Sequence, residues 1–136
     1  MSRNSRKKGM KFPGGFIGIP KILAEHQDFL NLSMSGKVAL IALIYQYRGG
    51  NNGDLSAAPR LLKPWGIKSR TTAQRAVGEL LDANLILRTR EGQFLNPGGR
   101  CALYALTWLP IDDCGGKLEV ASTNTPPRKL SLERSW

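Results

Sequence analysis

The chain has 136 residues, of which 41% are hydrophobic, and its 20 basic residues outnumber its 10 acidic residues to give a net charge of +10. This length and apolar content are enough for one folded domain with a modest core, which excludes a wholly disordered chain. No apolar run approaches the roughly 18 residues that suggest a membrane span, and no signal peptide is recognisable. We therefore expect a cytoplasmic protein of a prokaryotic type with no membrane partner.

The basic residues are concentrated in two parts of the chain. Residues 1–12 contain five basic residues and no acidic residue, and residues 57–100 contain eight basic residues against three acidic ones. In the remaining two stretches the two kinds of charge balance. A charge that served only solubility would be spread more evenly, so this distribution favours a polyanionic partner, most commonly nucleic acid.

No pattern of residues indicates catalysis or metal binding. Cys101, Cys114 and the lone His26 lack the spacing of a metal site, and no Ser-His-Asp, Cys-His or clustered-carboxylate arrangement is present. The adjacent acids Asp112 and Asp113 follow a proline and are better explained as solvated or capping residues. We therefore predict a protein that is not an enzyme, with no catalytic residues, metal, cofactor or small-molecule ligand.

Residues 1–15 are polar, basic and rich in glycine, so they offer little to bury and we expect a flexible, disordered arm. Such an arm could contact phosphates or enter a minor groove, or it could be a solvated tail. The arm residues proposed to contact DNA are Arg3, Arg6, Lys7, Lys8 and Lys11.

Two helices are expected after the arm. The first covers residues 21–29. Ser33 or Ser35 is expected to cap the second, over residues 36–47, whose apolar composition on nearly every side predicts the central buried helix. Residues 49–53 predict a structural turn, because this glycine-rich loop leaves a helix and lacks the lysine of a phosphate-binding loop.

Residues 54–109 have the element order helix, turn, helix, hairpin. A short strand is expected at 54–56, pairing with the hairpin, and a short helix over 57–63 is expected to end before Pro64. This order is that of a winged helix-turn-helix. The predicted fold class is therefore α+β, a winged helix-turn-helix with a C-terminal β-hairpin wing and a flexible basic N-terminal arm.

The helix after the turn is the candidate recognition helix, with Ser69 as its N-cap. Apolar residues at helical spacing predict its buried face: Ala73, Ala76, Val77, Leu80 and Leu81. The candidate DNA contacts at its start are Lys68, Ser69, Arg70, Thr71, Gln74 and Arg75. Arginine suits guanine, glutamine suits adenine, and threonine suits phosphate or the thymine methyl group. Gly78 is unusual inside a helix and could permit the close approach of DNA or of another helix.

Residues 85–89 and 102–108 are expected to pair as strands of the hairpin. The link over residues 90–100 is longer than a core-building hairpin needs and carries basic flanks, which indicates a wing. The candidate DNA contacts in this hairpin are Arg88, Arg90, Gln93, Asn96 and Arg100. Phe94 and Leu95, near the tip, could instead fold back on the domain or contact a partner.

The pattern weakens beyond Pro110. Residues 117–120 could form a short strand, and the last residues could be disordered or could dock on a second copy. The predicted boundaries are a basic arm at 1–15, a DNA-binding domain at 16–118 and a flexible C-terminal tail at 119–136.

Five segments resemble a family of small winged-helix proteins that are encoded on bacterial plasmids, prophages and integrative elements. They are residues 50–55 (GNNGDL), 65–69 (WGIKS), 79–86 (ELLDANLI), 103–108 (LYALTW) and 114–118 (CGGKL). The similarity covers roughly residues 14–118 and implies a winged-helix fold and DNA binding. The chain is also similar to the winged-helix parts of plasmid and phage replication initiators, which typically carry two such domains.

The leading hypothesis is a sequence-specific double-stranded DNA-binding protein, acting as a transcriptional regulator or a plasmid maintenance factor and binding as a homodimer. Two alternatives remain open, a protein-interaction adaptor built on a winged helix and a minimal replication-initiation protein. RNA binding is a weaker option, because the sequence shows no aromatic stacking platform.

Overall fold

The computed structural model describes residues 12–93 and 99–133, which form a mixed α+β fold. The described residues contain five α-helices, namely α1 (Lys21–Ala24), α2 (Gln27–Leu30), α3 (Met34–Gln46), α4 (Pro59–Leu62) and α5 (Arg70–Asp82). They also contain three strands, β1 (Leu55–Ser56), β2 (Ile86–Arg90) and β3 (Leu103–Leu106). Short 3-10 turns lie at Lys63–Trp65, Cys114–Gly116 and Leu130–Leu132.

The buried helix α3 begins at a cap that α5 helps to build. The Ser33 hydroxyl accepts a hydrogen bond from the N–H of Gly36, as expected for an N-cap, and donates to Oε2 of Glu79 at 2.6 Å. Oε1 of the same carboxylate accepts from the N–H of Ser33 at 2.9 Å. A side chain at Gly36 would place its Cβ 2.6 Å from this carboxylate, so glycine leaves the room that the contact needs. Glu79 therefore ties α5 to the start of α3.

The chain leaves α3 and reaches α5 through β1, α4 and a tight turn. Pro59 occupies the first turn of α4, where its missing N–H has no intrahelical role. The prediction that the helix ends before Pro64 is only partly met, because the chain continues as a 3-10 turn through Pro64 to Trp65. Gly66 then reverses the chain with φ +98°, a conformation that glycine adopts without strain.

The three strands form an antiparallel sheet in the order β1-β3-β2. The expected pairing of residues 54–56 with the hairpin is confirmed, since Leu55 lies opposite Tyr104. The hairpin strands are shorter or shifted relative to the predicted 85–89 and 102–108. A register shift occurs between Arg88 and Arg90, and the hairpin continues beyond its strands. There, Gln93 and Arg100 exchange two backbone hydrogen bonds of 2.9 Å.

Asn52 joins the turn after α3 to the end of the central strand β3. Its side chain is fully buried, and its amide group donates to the carbonyls of Leu106 at 3.0 Å and Pro110 at 2.9 Å. Its side-chain oxygen accepts from the N–H of Leu106 at 2.7 Å, and its own N–H donates to Asp112. The turn is therefore structural, as its sequence predicts.

The helix predicted over residues 21–29 is interrupted. The backbone of His26 is extended, with φ −75° and ψ 139°, so α1 ends and α2 begins as a separate helix. The ring nitrogen Nδ1 of His26 accepts a hydrogen bond from the N–H of Asp28 at 3.0 Å, which makes the histidine an N-cap. This local bond satisfies an N–H that α2 leaves unpaired and favours the break.

The C-terminal segment differs from the expected tail and strand. Residues 117–120 form no strand, and the segment over residues 119–133 contacts the domain at several points. The N–H of Glu119 donates to the carbonyl of Thr89, and the N–H of Arg128 donates to the carbonyl of Thr107. Leu130 is buried in the core. The buried guanidinium of Arg128 donates to the carbonyls of Ala83 and Asn84 at the end of α5, and also to the carboxylates of Asp28 and Glu133. These long-range bonds fix a segment whose own sequence has little periodicity.

Replacing Asn52 should destabilise the fold strongly. Asn52→Ala leaves two carbonyl groups and one N–H buried without their partners, and each such group costs about 1–3 kcal/mol. We expect the free energy of unfolding in urea to fall by about 3 kcal/mol or more. Asn31→Ala, at an exposed helix end, is the matched control and should cost under about 0.5 kcal/mol. Equal losses for the two variants would contradict the structural role of Asn52.

Acid should weaken the contact of the C-terminal segment through Glu133. The hydrogen bond from Arg128 lowers the pKa of Glu133 from 4.5 to about 2. Because this folded-state pKa lies below the unfolded value, the carboxylate stabilises the fold above about pH 4.5, and the stabilisation is lost as the pH falls towards 2. The difference in unfolding free energy between the wild type and Glu133→Gln should therefore shrink as the pH falls below 4.5. A difference that does not change with pH would refute this account.

Candidate nucleic-acid interface

Helix α5 presents polar side chains to solvent at its start. The Ser69 hydroxyl accepts from the N–H of Thr72 at 3.0 Å, which confirms Ser69 as the N-cap. Ala76, Val77 and Leu80 are buried on the opposite side of the helix, which leaves the polar side chains exposed. The exposed residues at its start are Lys68, Ser69, Arg70, Thr71, Gln74 and Arg75, all of which the sequence singled out.

The basic residues on this face keep their charges uncompensated by nearby acids. Among the ion pairs of residues 12–93 and 99–133, none involves Lys68, Arg70 or Arg75. The backbone N–H groups of the first helical turn add a partial positive charge at the same end. The start of α5 is therefore an electropositive, solvent-accessible surface.

The hairpin arginines, by contrast, are engaged within the protein. The guanidinium of Arg88 lies over the ring of Tyr104, 5.5 Å from its centroid, and Nη1 lies 3.5 Å from Oε1 of Glu91. The hydrogen bond with the Tyr104 hydroxyl raises the pKa of Arg88, against the opposing effect of burial. Arg90 is half-buried and donates to the carbonyl of Cys101 at 2.8 Å. Arg100 is paired with Glu119.

A groove of about 530 Å³ separates α5 from the hairpin. Its apolar lining includes Ala73, Val77, Leu81 and Ala102. Five of the predicted contact residues also line it, two from the helix and three from the hairpin: Arg70, Gln74, Arg88, Gln93 and Arg100. The fold thus brings together residues that are up to 30 positions apart in the chain.

Other predicted contacts lie beside the groove or outside the described residues. With about 100° between successive residues of a helix, Thr71 and Arg75 point away from the core, next to the face that carries Arg70 and Gln74. Thr71 and Arg75 are exposed but do not line the groove. Predicted contacts that lie outside the described residues are Arg3, Arg6, Lys7, Lys8, Lys11 and Asn96.

Gly78 lines the same groove and has no packing reason to be a glycine. A Cβ built at this position would meet no atom within 4 Å. The buried face of α5 therefore does not require glycine here. A small residue at this position leaves this part of the groove wide.

Sequence reasoning missed three residues that shape the groove. Tyr104 lies in a strand whose four residues are all buried, so the strand does not show the alternation of exposed and buried residues. The contact of Tyr104 with Arg88 therefore could not be inferred from a sequence pattern. Nothing in the sequence distinguishes Glu91 beyond its charge. Glu119 falls in the predicted tail, and its contact with Arg100 depends on chain packing that no local pattern reveals.

Other kinds of site find no support among the described residues. No group of three or more His, Cys, Asp and Glu side chains in residues 12–93 and 99–133 could hold a metal ion. Cys101 has an exposed free thiol on the groove, and Cys114 lies beside Asn52. None of the described helices is both long and apolar enough to cross a membrane.

Comparison of the chain with protein-family models, with curated proteins and with solved structures gave no match in any of the three.

Replacing Gly78 should stabilise the protein. Gly78→Ala adds a methyl group in open space and removes the cost of glycine in a helix, so the free energy of unfolding should rise by about 1 kcal/mol. Gly36→Ala is the matched control and should destabilise, because its Cβ would meet the Glu79 carboxylate. Urea unfolding measures both. A stability loss in Gly78→Ala would show that the helix needs glycine for a structural reason.

Proposed function

We propose that the protein binds double-stranded DNA sequence-specifically through a winged helix-turn-helix, with no catalytic step. The observation that carries this proposal is the groove, where the exposed polar face of α5 meets the polar side chains of the hairpin. Beside the groove, α5 carries basic side chains that make no ion pair within residues 12–93 and 99–133.

The order and pairing of the elements support the winged helix-turn-helix. Helix α4 and its 3-10 extension lead through the Gly66 turn into α5, and the β2–β3 hairpin follows. Strand β1 pairs with β3 and completes a small sheet behind the helices. In this arrangement α5 is the recognition helix and the hairpin is the wing.

Helix α5 has the dimensions and side chains for the major groove. A helix with its side chains is about 10–12 Å across, and the major groove of B-DNA is about 12 Å wide. Arg70 and Arg75 would pair with guanine edges, Gln74 with adenine, and Thr71 with a phosphate or a thymine methyl group. Lys68 and the N–H groups of the first turn would hold a phosphate.

The wing would hold the DNA rather than read it. Arg88, Gln93 and Arg100 lie across the groove from α5, where a backbone or minor-groove contact is within reach when the recognition helix is docked. The basic residues of the N-terminal arm would add phosphate contacts, which carry no sequence information. Recognition of bases would thereby fall to α5, and binding of phosphates to the basic residues around it.

The proposed biological role has the resemblance in sequence as its support, and the groove does not bear on it. We propose a bacterial mobile-element protein of the cytoplasm that regulates transcription or maintains a plasmid, and that binds repeated sites as a homodimer. A minimal replication-initiation protein remains the alternative within DNA binding.

A protein-interaction adaptor is the second candidate, and one observation favours it. Phe12, Phe16 and Ile17 are exposed, with Phe16 73% accessible, and the two phenylalanine rings meet edge to face at 5.4 Å. Exposed apolar groups of this kind are common in protein interfaces. An adaptor would use this surface and would not need the polar face of α5.

Selection of bound duplexes from a random DNA pool tests the proposal, and Arg75→Ala then tests base reading. Losing a base-reading arginine costs about 1–3 kcal/mol, so affinity for the selected site should fall about 5- to 150-fold. Affinity for random duplex should fall much less. Lys21→Ala, an exposed basic residue on α1, is the matched control and should change neither affinity.

Two results would count against the proposal. Absence of duplex binding at about 50 mM salt, where electrostatic contacts are strong, would exclude DNA binding and favour the adaptor. An equal loss on random and selected DNA in Arg75→Ala would show that Arg75 contacts phosphate rather than bases.

A further inference from the structure

One acidic side chain lies where the candidate wing would meet a phosphate. Oε2 of Glu119 is bonded to Nη2 of Arg100, one of the arginines that line the groove. Oε1 of the same carboxylate accepts from the N–H of Glu91 at 3.0 Å. Glu119 thus holds the hairpin through both carboxylate oxygens.

The backbone carries Glu119 to this position. Its N–H donates to the carbonyl of Thr89 in β2 at 2.7 Å. Two residues earlier, Lys117 pairs with Asp54 at 3.0 Å, which anchors the segment beside β1. The carboxylate is therefore held beside the hairpin before any ligand arrives. Because its backbone is already anchored, pairing with Arg100 costs less conformational entropy than it would for an unanchored side chain.

The pair remains within reach of a ligand. The side chains of Arg100 and Glu119 are 36% and 44% exposed. Ion pairs with this exposure are weak, because water screens both charges. Glu119 meets Arg100 through one oxygen only, because the other accepts from Glu91, whereas a DNA phosphate can offer Arg100 two oxygens. Exchange of one anion for the other is then a competition between two similar ligands.

We propose that Glu119 is an internal counter-ion that competes with a DNA phosphate for Arg100, and so sets the affinity and the salt dependence of the wing. This inference rests on the proposed DNA-binding function. While Arg100 is paired with Glu119 it adds no net charge at the interface, so it neutralises no phosphate. Removing the charge of Glu119 frees Arg100 to neutralise one more.

Glu119→Gln is the informative variant. The amide oxygen of glutamine still accepts from the N–H of Glu91 and the volume is nearly unchanged, so the hairpin should keep its place. Affinity for every duplex should rise by about two- to fivefold, which corresponds to the loss of a weak ion pair. The slope of log K against log salt should become steeper by about 0.9, the value for one additional phosphate.

Three further variants make the test specific. Glu25→Gln changes the net charge equally, at an exposed site on the end of α1. Arg100→Gln and the double variant Arg100→Gln/Glu119→Gln complete a double-mutant cycle. The gain from Glu119→Gln should be absent in the Arg100→Gln background. Affinities are measured on random-sequence duplex between about 50 and 200 mM salt, with thermal unfolding to compare the folds.

The outcomes separate this inference from the function on which it rests. If the wild type binds duplex but Glu119→Gln binds no more tightly, or with the same salt slope, the inference is overturned and DNA binding stands. A gain that persists without Arg100, or that Glu25→Gln reproduces, also overturns it. Weaker binding in Glu119→Gln would show a purely positioning role. If the wild type binds no duplex, the proposed function itself fails.

Discussion

The contact between Glu79 and the start of α3 determines which way the candidate recognition helix faces. Burial of Ala76, Val77 and Leu80 holds α5 on the core, but an apolar stripe tolerates some rotation about the helix axis. The two bonds from Ser33 to the Glu79 carboxylate fix that rotation. A turn of one residue, about 100°, would move Arg70 and Gln74 out of the groove. The direction in which Arg70 and Gln74 point thus depends on an acid on the other side of the helix.

Local patterns predicted the parts of the fold that are decided locally. The caps Ser33 and Ser69 and the buried face of α5 follow from side chains within a few positions of each other. The break between α1 and α2 at His26 also depends on a local hydrogen bond. This bond requires a ring nitrogen of His26 to act as the acceptor, which the residue type alone does not reveal. The exposed polar face of α5 was also predictable, because it is set by residue spacing within one helix.

The rest could not be predicted because it depends on contacts between distant parts of the chain. Arg128 joins the end of α5 to Asp28, which precedes Arg128 by 100 positions in the chain. Glu119 reaches Arg100 from a segment whose backbone is bonded to Thr89 of β2. The structure thus separates two kinds of basic residue that look alike in the sequence. Those on α5 have no acidic partner among the described residues, whereas the hairpin arginines have internal ligands. A helix that reads bases would use the arginines without an acidic partner. A wing that holds phosphates would use arginines that are already bonded within the protein.

The most direct test asks whether DNA lies in the groove between α5 and the hairpin. Cys101 has an exposed thiol on this groove, so in a Cys114→Ser variant it can carry a reagent that cleaves nearby DNA. Bound to a selected duplex, the labelled protein should cleave a short run of nucleotides inside the site. The same reagent on Glu25→Cys, with both native cysteines replaced by serine, should not cleave there. Binding without localised cleavage from Cys101, or the same pattern from both positions, would contradict the account.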